Sequence, residues 1–160
     1  MKYDEIIDDL FKNGGLGNSP EKFNESKFGE ELWKKFKELG FPFTWLAPNV
    51  KLIKYEKVLA NIDFLLENEV SAMAVSAMAL ENKTELTVED IDEHLELIGK
   101  VREHMDSRRD MRKLLGAVAG ENVSEDVLNY AQKKGFYVIV QTGDSVAIAQ
   151  MPQGFKARKW

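Results

Sequence analysis

The chain has 160 residues, 44% apolar and 31% charged, with a net charge of −5, which suits a domain with a sizeable core of ordinary globular composition. It has no cysteine, which excludes disulfides, thiolate metal sites and cysteine nucleophiles and fits a reducing, cytoplasmic setting. No apolar run reaches the roughly 18–20 residues of a membrane span, the start MKYDEIIDDLFKN is too acidic for a signal peptide, and with only His94 and His104 available, carboxylates must carry any metal.

Residues 1–12 suit a short helix with Ile6, Ile7, Leu10 and Phe11 along one side. NGGLGNSP (13–20) is a loop, and Ser19 with Pro20 starts a second helix. That helix runs to about Leu39 with a stripe of Phe23, Phe28, Leu32 and Phe36, and Gly40 ends it. FTWLAPNVKLIK (43–54), a turn at YEK, and VLANIDFLL (58–66) read as a hairpin. VSAMAVSAMAL (70–80) is a buried helix or a buried strand; its sheet neighbours favour a strand. The pentapeptide VSAMA occurs twice in it, a short duplication rather than a repeat architecture. TVED (87–90) resembles a capping box and opens a helix carrying Val88, Ile91, Leu95, Ile98, Val101 and Met105. KLLGAVAG (113–120) reads as a buried strand, and Ser124 caps a helix ended by Gly135. FYVIVQ, TGDS and VAIAQ form a closing hairpin. The expectation is an α/β domain with a mixed sheet and helices on its faces.

Asp63, Glu81 and Lys83 are the residues that can carry chemistry together. If 58–66 and roughly 70–83 pair antiparallel, Asp63 and Glu81 become neighbours, and Glu81 and Lys83 share a strand face. Carboxylates with water suit Mg²⁺, which takes one or two protein carboxylates. Such an ion acidifies a bound water and stabilises phosphate charge, while a lysine positions or deprotonates that water. These are parts for phosphodiester hydrolysis. By pattern alone, E-x-K is equally a solvated strand end.

The order helix, strand, strand with Asp, strand ending E-x-K, helix resembles the core of the PD-(D/E)XK nuclease superfamily. More closely, GGLGNSPEKFNESKFGEELWKKFKELGF, LANIDFLLEN, ENKTELTVEDIDEHLELI, KLLGAVAGENVSEDVLNYAQKKGFYVIVQTGDSVAIA and PQGFKARKW resemble a bacterial family of coiled-coil nuclease-related proteins within it. The resemblance covers nearly everything from Gly14 onward. It implies a restriction-endonuclease-like fold over 14–160 preceded by a short N-terminal helix at 1–13. It implies Asp63 and Glu81 as metal ligands for Mg²⁺ or Mn²⁺, Lys83 as the catalytic lysine and Glu25 as an added helix acid, with Glu30 and Glu31 as lesser candidates and Gln141 at the same edge. Asp63 and Glu81 are 18 apart, about five more than the resemblance leads one to expect, and the VSAMA repeat accounts for the excess. Five extra residues reverse the facing of whatever follows unless a bulge or longer turn absorbs them.

Two basic stretches stand out in this acidic chain: Arg108, Arg109 and Arg112 in SRRDMRKL, and Lys156, Arg158 and Lys159 in the tail. They are candidate phosphate contacts, or a solvated surface. Two functions follow as expectations. One is a Mg²⁺-dependent nuclease acting on DNA. The other is an inactive nuclease-fold module for nucleic-acid or protein binding, self-associating as a homodimer through its N-terminal helix. His94, among acids, reads as solvated or helix-paired; Met73 and Met78 read as core.

Overall fold

The computed structural model describes residues 25–143 and 145–160. The expected N-terminal helix, the 13–20 loop, the Ser19–Pro20 start and Asp144 of the closing turn lie outside them. The elements are α1 (Glu25–Glu38), β1 (Trp45–Lys54), β2 (Lys57–Glu67), β3 (Ser71–Ala77), a 3₁₀ turn (Met78–Glu81), α2 (Val88–Ser107), β4 (Lys113–Gly120), α3 (Glu125–Lys133), β5 (Tyr137–Thr142) and β6 (Ser145–Ile148). The six strands form one sheet in chain order. β3, β4 and β5 run parallel; the outer pairs are antiparallel. This is the expected α/β architecture with a mixed sheet.

Local chemistry accounts for the element ends. Thr87 accepts from Asp90 N–H while Asp90 accepts from Thr87 N–H, a complete capping box. Ser124 accepts from Val127 N–H. Tyr55 and Glu56 both lie at positive φ, as a two-residue hairpin of the mirror-image type requires. Parallel crossovers are right-handed, so two successive ones moving the same way leave both helices on one face. Accordingly α2 and α3 pack Ile91, Ile98, Val101 and Ala131 against Ala72, Ala74, Leu114, Val118 and Val138. On the other face α1 packs Phe28, Leu32 and Phe36 against Phe64, Val75, Leu115 and Ile139. The interior strands are buried on both sides and read as continuous apolar runs. Gly116 is needed there, because a Cβ would stand 2.6 Å from Phe136 Cε1. Among the described residues no helix is long and apolar enough to cross a membrane.

Candidate functional site

β2 is longer than its pairing with β3. The two strands bond only from Phe64↔Val75 to Glu67↔Ala72, while β2 stays with β1 back to Lys57 and β3 stays with β4 up to Ala77↔Ala119. The sheet therefore forks just beyond Phe64. Asp63 sits at the mouth of the fork, and its Oδ2 accepts from Ala77 N–H at 2.8 Å, supplying an acceptor where the ladder has stopped. β2 also changes facing there. Phe64 packs in the α1-side core and Ile62, two residues earlier, in the α2-side core. A flat strand would put both on one face. Asp63 thus lies between the two layers.

The sequence expectation for 70–83 needs correction. The strand ends at Ala77, and Met78–Glu81 form a 3₁₀ turn closed by Asn82 at φ 59. Glu81 and Lys83 are therefore not partners on one strand face. The chain then rejoins the line of β3: Glu85 bridges Asn122 in parallel, and Leu86 N–H donates to Asn122 O. Across this excursion the offset between the paired segments drops from 42 residues (Ala77↔Ala119) to 37 (Glu85↔Asn122), a slip of five. The excursion absorbs as many residues as the VSAMA repeat adds. Asn82 is exposed, as a bent strand end allows.

A cleft of about 270 Å³ opens at the fork, lined by Asp63, Ser76, Glu81, Asp90, Glu93 and His94 among others. Burial raises Asp63 above the usual carboxylate range against the pull of the Ala77 N–H. Partial burial and then the Asp63 charge raise Glu81, with Lys83 opposing. Burial and then Asp63 also raise Glu25 at the start of α1. Glu25, Asp63 and Glu81 are thus brought into one electrostatic neighbourhood. Lys83 is turned aside: its Nζ lies 3.0 Å from Asp90 Oδ1, and that bond raises the ammonium further. Lys83 is thus held as an ammonium beside Asp90. Among the described residues no group of three His, Asp or Glu side chains forms a metal cage. Two carboxylates with water fit Mg²⁺ nonetheless, since that ion keeps most of its hydration.

The spacing argument missed the α2 wall. His94 is 1% exposed, not solvated, and burial pushes it down to about 4. Its Nε2 lies 3.1 Å from Ala74 O, which can only accept, so Nε2 carries the proton. Nδ1 then accepts from Ser76 Oγ–H at 2.7 Å. Asp90, Glu93, His94 and Leu97 fall at helical spacing on one face of α2, a signal present in DIDEHLEL (90–97). Gln141 is 2% exposed; its Nε2 donates to Gly143 O, and its Oε1 is buried without a partner.

The basic residues gather elsewhere. Arg112 donates to Asp110, Glu67 Oε1 and Asn68 O, at the entry to β4. Arg158 lies over Trp160, whose N–H donates to Leu114 O. Lys156 and Lys159 line a cavity with Ser71 and Lys113. These are the amino-terminal ends of β3 and β4, and the fork is at the carboxyl-terminal end of β3. Six residue steps separate Ser71 from Ala77, about 20 Å. Arg108 and Arg109 lie exposed in the turn before β4. Acids and basic patches do not converge on one site. Glu30 instead pairs with Lys34 on α1. No family model, curated protein or solved structure matches this chain.

Proposed function

We propose that the fork is the divalent-cation site of a phosphodiester hydrolase acting on DNA, in a restriction-endonuclease-like arrangement. The observation that carries this reading is Asp63, held at the fork and pushed up by burial, with Glu25 and Glu81 near enough that burial and then the Asp63 charge push them up too. Carboxylates that crowd one another favour a shared cation. Mg²⁺ or Mn²⁺ would acidify a water and neutralise phosphate charge there. Asp63, with Oδ2 engaged by Ala77, offers Oδ1; Glu81 offers the second carboxylate, and Glu25 orients water. Lys83, protonated and half-exposed, serves as a cation toward the phosphate rather than as a proton acceptor. Water attacks phosphorus, the phosphate–sugar oxygen bond breaks, and the leaving oxygen takes a proton from solvent. A duplex reaching from the fork toward Arg108, Arg109 and Arg158 spans about six base pairs. The test is plasmid and branched DNA with Mg²⁺ or Mn²⁺, beside Asp63→Asn: nicking by the wild type alone supports the reading.

The engagement of Lys83 with Asp90 favours a second reading, a non-catalytic DNA-binding or self-associating module. Binding of DNA that survives Asp63→Asn, with no cleavage by either protein, is its expected result.

A further inference from the structure

We infer that the cavity at the amino-terminal ends of β3, β4 and β5 binds a small phosphate monoester with an apolar or planar body, of mononucleotide size. The cavity measures about 650 Å³, within the roughly 300–1,000 Å³ typical of small-molecule sites. It is independent of the acidic fork, at the other end of the parallel strands.

Its polar groups are donors. Lys113 from β4 and Lys156 and Lys159 from the C-terminal segment bring three ammonium groups to one hollow whose lining holds no Asp or Glu. None of the three forms an ion pair among the described residues. In a chain of net charge −5 this bias is local. Like charges crowded together disfavour one another, and an anion reverses that. Tyr137 is 8% exposed, and its hydroxyl makes no hydrogen bond to a described residue. Burial keeps that phenol neutral and therefore a donor. Tyr137 lines the cavity, so a ligand oxygen can accept from its hydroxyl in place of water. Asn68 Oδ1 already accepts from Val70 N–H, Ser71 N–H and Ser71 Oγ–H, which leaves Nδ2 as a fifth donor.

Five donors exceed what the two oxygens of a carboxylate use well. A phosphate monoester brings three oxygens and close to two negative charges. Phe41 and Leu115 supply the apolar wall, with Phe41 edge-on to Tyr137 at 5.8 Å between ring centres. That wall suits a ring carried by the phosphate.

Isothermal titration of the full chain with AMP, inorganic phosphate and adenosine tests this. The expected result is saturable AMP binding, tighter than phosphate and absent for adenosine. Lys113→Glu with Lys156→Glu should weaken AMP at least tenfold, and Tyr137→Phe about three- to tenfold, the loss of one hydrogen bond. Asp63→Asn should leave it unchanged. Thermal melts check that each variant folds, and Lys159→Gln replaces the double variant if that one does not. Phosphate binding as tightly as AMP would assign the cavity to free phosphate and overturn the apolar-body part. No saturable heat with AMP or phosphate, or AMP binding that survives the charge reversal, overturns the whole.

Discussion

Asp63 Oδ2 accepts the Ala77 N–H at 2.8 Å, across the point where β2 and β3 part. One carboxylate therefore both closes the backbone accounting of the fork and faces its cleft. Those two tasks can be separated. Asp63→Asn keeps an acceptor for Ala77 and removes a buried charge, so its urea midpoint should match or exceed the wild type while nicking is lost. Asp63→Ala leaves the N–H unsatisfied and should cost about 1–3 kcal/mol.

Glu25, Asp63 and Glu81 titrate higher folded than unfolded. Between those values the folded state holds more protons, so their contribution to stability falls as pH rises and the penalty is complete above the raised values. A divalent cation needs the deprotonated forms. Mg²⁺ at tenfold excess over its Kd should therefore stabilise the protein by about 1.4 kcal/mol near pH 8, a few degrees in Tm. The shift should vanish near pH 4 and be absent in Asp63→Asn. Melting curves at two pH values with and without Mg²⁺ read this directly.

Removing one VSAMA copy, residues 75–79, should abolish the five-residue slip against β4. Glu81 would then take the place of Ser76, which lines the cleft with Asp63, and Lys83 would follow two residues on, on the same face. Divalent affinity should rise, read as a larger Mg²⁺-dependent Tm shift than in the wild type. Asn82 would occupy the buried place of Ala77, so the metal-free variant should be less stable by about 1–3 kcal/mol.

The arginines of SRRDMRKL should behave differently from one another. Arg112 is about a quarter exposed and joins Asp110, Glu67 and Asn68, so Arg112→Ala should cost about 1.5–3 kcal/mol. Arg108 is exposed, and Arg108→Ala should stay within about 0.5 kcal/mol. Urea denaturation of the two variants separates a structural arginine from a surface one.

His94, held neutral and buried, titrates at about 4 when folded instead of 6.5. Below pH 6.5 the unfolded chain binds the extra proton, so stability falls as pH drops through that window and levels off below about 4. The full loss is about 3 kcal/mol. Denaturation midpoints at pH 7 and pH 4.5 should differ accordingly, and His94→Gln should flatten the difference.

Local patterns carried most of the elements. Thr87 with Asp90, Ser124, and the positive φ at Gly40 and Gly135 all stand where the sequence puts them. The order of strands and helices was legible because each element has its own period and its own end signal. The 70–80 run left a buried helix open beside the strand that its sheet neighbours favoured; where the strand stops was not legible, because the two VSAMA copies are identical and only β4 decides which copy pairs.

The site divides the same way. The sequence by itself determined which side chains are available: carboxylates at 25, 63 and 81, a lysine at 83, no thiolate, and two basic stretches. Tertiary structure decided their company. It turned Lys83 to Asp90, buried His94 against Ser76, raised the carboxylates and set the basic residues at the far end of the strands. Spacing along a chain specifies neighbours only while the strand stays regular. At a fork, a change of facing and a five-residue slip, distance is set by packing against β4 and α2, which no local pattern encodes.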